Sequence, residues 1–213
     1  MTRKVMHFIL PLLMIASTAG AALVAGKDYQ VIDPPVPTET EKKIEVLEFF
    51  YYGCPHCYEL EPFLESWMKR QPKDVVLRPV PAVFRESWVP LTKTFYTLEA
   101  LGELDRLHGK VFSTLHEEGL GLSDSETMFN WAAKHGVDRK KFADTYNSFA
   151  VQSKVQRAMQ QTKNYRITGT PSIVVDGKYL TSSTMAGGHE RLGAVLDELV
   201  AMARKENSAK TAR

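Results

Sequence analysis

The chain has 213 residues, 44% of them hydrophobic and 10% aromatic, which is enough for a core that needs no disulfide staples. Two of its 27 Lys and Arg side chains, Arg3 and Lys4, lie in residues 1–21, which carry no acid, so the remainder balances at 25 cations against 25 acids. That balance argues against a nucleic-acid interface built on net positive charge.

In chain order, Arg3 and Lys4 precede an apolar run from Val5 to Ile15, and Ala19-Gly20-Ala21 fits a signal-peptidase site. The run is short for a membrane span, although an uncleaved N-terminal anchor stays open as the alternative. The expected mature protein begins near Ala22 and occupies residues 22–204. Lys27 to Ile32 reads as a short strand, and Asp33 to Thr38, with three prolines, as a stiff connector. Val46 to Tyr52 is a β-prone run that breaks at Gly53 and feeds a helix from about Cys57 to Arg70. Val75 to Val80 reads as a second strand, which Pro79 and Pro81 confine to a sheet edge or an early end.

From Pro90 to about Lys163 apolar residues recur at three and four, the period of buried helices. A helical insertion over about 86–164 is therefore expected, with Ser123-Asp124-Ser125-Glu126 as a capping box and Gly136 closing that helix. Ile167 to Pro171 breaks the pattern. Ser172–Val175 and Lys178–Leu180 then make a hairpin around Asp176-Gly177, a favoured two-residue turn. Gly188 to Met202 is a last amphipathic helix, and 205–213 reads as a flexible tail.

The chemistry concentrates at Cys54-Pro55-His56-Cys57, which holds both cysteines of the chain. Zinc needs about four ligands, and His108, His116, His135 and His189 are scattered along the sequence without ligand spacing. Covalent haem attachment needs His after the second Cys, where Tyr58 stands. A structural disulfide in so small a ring contributes only about 2 kcal/mol of loop entropy. A redox-active pair at a strand–helix junction fits better. Cys54, before the helix, would be the attacking thiol, its thiolate facing free N–H groups and the positive end of the helix dipole. Pro55 suits the first helical position. His56 would add a donor beside the sulfur, and Cys57 would be the resolving thiol. No metal or other cofactor is expected.

Leu47-Glu48-Phe49-Phe50 followed by Tyr51-Tyr52-Gly53-Cys54-Pro55-His56-Cys57-Tyr58 resembles the active site of the DsbA family of periplasmic thiol:disulfide oxidoreductases. Gly169-Thr170-Pro171 before the hairpin is similar to the cis-proline loop of the thioredoxin fold. The resemblance implies a thioredoxin-like α/β fold with a helical domain inserted after the second core strand, an oxidising Cys54–Cys57 disulfide and a low Cys54 pKa. It implies that Gly169, Thr170, Pro171 and His56 contact substrate, and that Glu48 is a buried acid moving protons to Cys57; an acid at a sheet edge facing water stays open as the alternative. Family members often pair that acid with a lysine on the next strand, where the best-placed residue is Arg78, which holds its proton too tightly for a shared relay. The implied protein is a periplasmic monomer that oxidises reduced exported proteins and is reoxidised by a DsbB-type membrane protein coupled to quinone. A reductase or isomerase of the same fold, and a peptide-binding chaperone, remain the alternatives.

Overall fold

The computed structural model describes residues 22–40 and 42–211; the expected signal segment 1–21 lies outside them. Asp28 folds the chain back before any strand begins, its carboxylate accepting from Val24 N–H at 2.8 Å. Strand β1 is therefore only Gln30–Val31, shorter than the expected Lys27–Ile32.

Every residue of β2, Ile44–Phe50, is buried. Helix α1 spans Pro55–Lys69 and starts two residues earlier than expected, because Pro55 takes its first turn. β3, Val75–Pro81, runs parallel to β2 at the sheet edge, where prolines cost no ladder bond. A 3₁₀ turn at Glu86–Trp88 leads into α2 (Val89–Leu101), α3 (Leu104–His116), α4 (Ser125–Lys134), α5 (Arg139–Tyr146) and α6 (Phe149–Asn164). The cap of α4 falls one residue later than the expected box: Asp124 accepts from Thr127 N–H at 2.8 Å, while Glu126 pairs with Arg139.

β4 (Ser172–Val175) and β5 (Tyr179–Thr181) form the hairpin. Asp176 and Gly177 both have positive φ, and a Cβ on Gly177 would sit 1.9 Å from the Val36 carbonyl oxygen, so only glycine fits there. The sheet order is β1-β5-β4-β2-β3, with β4 antiparallel to both β2 and β5. α7 (Ser183–Ala186) and α8 (His189–Thr211) complete the chain.

The expected tail from residue 205 is a correction: α8 continues to Thr211. Its end is anchored on the hairpin through Glu206, bonded to Tyr179 and Lys178, and through Asn207 Nδ2, which donates to Asp176 at 3.0 Å. Charged, small residues looked solvated in sequence, yet here they bond a buried turn.

Two apolar clusters flank the sheet. Val46, Leu60, Leu64, Trp67, Ile173 and Leu196 belong to one, which joins α1 and α8 to the strands. Leu47, Phe49, Phe95, Phe112 and Val174 belong to the other, which joins the inserted helices. Alternation along β2 feeds both clusters. Its C-terminal end, with Phe50, reaches the junction of α1 with α3, and there the two cysteines sit.

Candidate active site

β2 delivers the chain to the site through the turn Tyr51–Gly53, closed by Cys54 N–H donating to Tyr51 C=O at 2.9 Å. A Cβ on Gly53 would stand 2.5 Å from the Tyr51 ring, and that ring stacks on Trp88 with centroids 3.8 Å apart. Cys54 is the N-cap of α1, and Pro55 follows in the first turn. Cys54 is half-buried and Cys57 fully buried. Both are free thiols.

The two sulfurs have opposite electrostatics. As a thiolate, Cys54 accepts from the Cys57 thiol, then from the Thr170 hydroxyl and the backbone N–H groups of Cys57 and His56. These donors outweigh burial and bring its pKa down to about 5. As a thiol it donates instead to the Thr170 carbonyl oxygen, 3.4 Å away. Cys57 is pushed far up, first because its proton is bonded to Cys54 and then by burial.

The Thr170–Pro171 bond is cis, and β4 begins at Ser172, whose hydroxyl donates to Gly169 C=O at 2.8 Å. Gly169, Thr170 and Pro171 line a groove of about 760 Å³ together with His56, Thr184 and His189. A larger open pocket, about 980 Å³, lies at the other end of β2 among Asp74, Asp176, Lys178 and Arg204. Among its charges Asp74 pairs with Arg204 and Asp176 with Lys178, whereas the smaller groove carries Thr170, whose carbonyl oxygen accepts from Cys54.

Two expectations are corrected. The His56 imidazole is 76% exposed and pairs with Glu59 at 3.2 Å; what His56 gives Cys54 is its backbone N–H. Arg78 does not approach Glu48. In the parallel register Arg78 lies opposite Leu47 and Glu48 opposite Pro79, so period-two alternation puts the two side chains on different faces. Arg78 instead pairs with Glu45 at 2.5 Å and Glu39 at 2.7 Å.

Glu48 itself is 2% exposed, which removes the alternative of an acid facing water. Its Oε1 has no hydrogen-bond partner among the described residues. Burial raises its pKa well above the carboxylate range, and the Glu61 carboxylate and Cys54 thiolate add to the shift. Sequence reasoning missed Glu61, which stands one helical turn after Cys57 and so on the same face of α1. It also missed His108 and His116, scattered in sequence but brought to the site by α3: His108 stands 3.4 Å from Glu61, and His116 Nε2 lies 2.8 Å from Tyr52 C=O. No local signal marks either histidine.

Residues 45–200 match the model of the DSBA-like thioredoxin domain. The thiol:disulfide interchange protein DsbA of Bordetella parapertussis is 45% identical over 203 residues, covering 91% of this chain and 96% of that one. The protein of the same name from Pseudomonas aeruginosa is 39% identical over 203 residues, covering 93% and 95%. Among solved structures, Pseudomonas aeruginosa DsbA gives a TM-score of 0.82 at 40% identity, covering 89% of this chain and 97% of that one. DsbA from Xylella fastidiosa gives 0.80 at 33% identity, covering 86% and 98%.

Proposed function

Since the chain belongs to the DSBA-like thioredoxin family, we propose that it is a thiol:disulfide interchange enzyme that donates the Cys54–Cys57 disulfide to newly exported proteins. A substrate thiolate attacks Cys54 Sγ, the S–S bond breaks, and Cys57 leaves as a thiolate that takes a proton from Glu48. A second substrate thiolate then attacks the substrate sulfur of the mixed disulfide and expels Cys54 as a thiolate. Two electrons pass from substrate to enzyme. Of the two substrate thiol protons, the balance leaves one on Cys57 and one in solvent. The observation that carries this reading is the asymmetry of the pair: a half-exposed Cys54 under converging donors, and a fully buried Cys57.

The same asymmetry favours donation over reduction. With a pKa of about 5, Cys54 is ionised at pH 7 and stabilises the reduced enzyme by up to about 2.7 kcal/mol relative to an ordinary thiol. For a half-exposed group, solvent screening leaves about half of that, or roughly 30 mV. Because the pKa is lowered, this stabilisation is largest above the ordinary thiol pKa and is lost as pH falls through 5.

The cis-proline loop supports substrate docking: Thr170 and Pro171 border the groove beside Cys54, where the Thr170 backbone can pair with an extended peptide. Family membership supports reoxidation by a DsbB-type membrane partner linked to quinone and a periplasmic setting; no helix among the described residues is long and apolar enough to cross a membrane. The test is the pair of variants Cys57→Ser and Cys54→Ser. The first should accumulate mixed disulfides on a non-reducing gel and the second none; equal trapping by both would reject the assignment. Titration against glutathione separates a donor of disulfides from a reductase.

A further inference from the structure

Helices α4 and α6 end in the same hydrogen-bonded turn. In α4, Gly136 N–H donates to Ala133 C=O and Val137 N–H to Ala132 C=O, both at 3.0 Å. In α6, Arg166 N–H donates to Lys163 C=O at 2.9 Å and Ile167 N–H to Thr162 C=O at 3.0 Å. This turn needs one residue in the left-handed region, and glycine is the usual choice. Gly136 fills the position in α4 with φ 82°, whereas in α6 Arg166 holds it with φ 53°. A long side chain is strained there, and strain kept beside a functional site points to a use for the residue that bears it.

Arg166 and Thr170 both line the groove beside Cys54. They are four positions apart in the chain, so their Cα atoms are separated by at most about 14 Å. Arg166 Nη2 donates to the Asp33 carbonyl oxygen at 3.1 Å, which holds the guanidinium in place without neutralising it. Among the described residues Arg166 makes no ion pair, whereas Arg139, Arg157 and Arg204 each pair with a carboxylate. No carboxylate lines the groove, while His56 and His189 stand in its wall with Arg166. The acid nearest to His56, Glu59, is already bonded to that imidazole. Ser183 Oγ, in the same wall, is buried without a hydrogen-bond partner among the described residues. The larger pocket at the other end of β2 differs, since Asp74 and Asp176 share it with its cations.

We propose that Arg166 is a specificity-determining residue, pairing with an Asp or Glu side chain of the exported protein close to the cysteine that attacks Cys54. This deepens the functional reading above and rests on the substrate segment lying along the cis-proline groove. A guanidinium presents a fork of donors that matches a carboxylate. An extended peptide advances about 3.3 Å per residue, and the span from Thr170 to Arg166 therefore places the favoured acid within about four residues of the substrate cysteine. Beyond residue 21 the chain balances at 25 cations and 25 acids, so net charge gives no general pull on acidic peptides, and the preference is local.

The test is single-turnover oxidation, by the oxidised enzyme, of dithiol peptides that differ only in carrying Asp or Lys beside their cysteines. Each rate is divided by that peptide's rate with a neutral small-molecule disulfide, which cancels the effect of the flanking charge on the peptide thiol itself. The wild-type protein should oxidise the Asp peptide about threefold faster than the Lys peptide, the scale of one exposed ion pair. Arg166→Asn removes the cation and suits the left-handed turn, so it should unfold no more easily than the wild-type while the ratio falls to about one. Equal normalised rates in the wild-type, or a ratio that survives Arg166→Asn, would overturn the proposal. Slowing of both peptides alike in that variant, with the ratio kept, would make Arg166 merely structural and reject it too. If neither peptide is oxidised by the wild-type protein, the functional reading above fails as well; if both are oxidised without regard to charge, only this inference fails.

Discussion

Glu45 and Glu48 stand three residues apart in β2, and each is 2% exposed. Glu45 points to the face where Arg78 lies, 2.5 Å away, with Glu39 sharing the guanidinium. Glu48 points to the opposite face and, among the described residues, meets the Glu61 carboxylate and the Cys54 sulfur but no cation. One strand thus carries a charge-paired acid and an unpaired one at equal depth. The pairing, not the burial, separates a structural carboxylate from one whose proton can be used.

Removing Arg78 should produce the largest effect on that contrast. Arg78→Met leaves Glu45 buried without its cation, and losing one partner of a buried pair costs several kcal/mol. Because the Arg78 side chain is 33% exposed, water recovers part of it, and a loss of about 2 kcal/mol in urea unfolding is expected. Thiolate absorbance of Cys54 should be unchanged. A loss below about 0.5 kcal/mol, the scale of a surface pair, would erase the distinction between the two acids.

Glu48→Gln should act in the opposite direction. Its folded pKa is raised, first by burial. The stability it contributes is therefore fully present below the unfolded value of about 4.3 and is lost as pH rises toward the folded value. The glutamine variant should match the wild-type near pH 4 and be the more stable at pH 7, by about 1.4 kcal/mol for each unit of the shift. Peptide oxidation should slow, since Cys57 loses its proton source. Parallel stability curves across that pH range would show that Glu48 is compensated after all.

The contrast was only partly legible in the sequence. Strand, turn and helix around Cys54 follow from short-range rules, because an apolar run, Gly53 and Pro55 act within a few residues of themselves. The cis-proline loop was legible through resemblance. What escaped depends on register and on distant segments. Arg78 seemed to serve Glu48 until the parallel pairing placed it one residue out of phase, on the other face. Glu61 lay in plain view at one helical turn from Cys57, and its meaning required knowing that Glu48 lies beneath that turn. His108 is 51 positions from Cys57 in this numbering, and no local pattern could bring α3 against α1. The end of α8 was misread for a related reason: its partners, Asp176, Lys178 and Tyr179, belong to a hairpin about thirty residues earlier.

The smallest expected effect tests whether orientation matters at the surface as it does in β2. His56 lies between the two cysteines in sequence, yet its ring pairs with Glu59 while its N–H faces Cys54. Replacing it by leucine leaves that N–H, the neighbouring N–H of Cys57 and the helix terminus in place. His56→Leu should therefore raise the Cys54 pKa from about 5 by less than about one unit, and lower the redox potential by less than roughly 30 mV. Thiolate absorbance against pH gives the first quantity and equilibration with glutathione the second. A rise of two units or more would mean that the imidazole turns inward to the sulfur in solution. Side-chain charge, and not the helix terminus, would then be the main support of the thiolate.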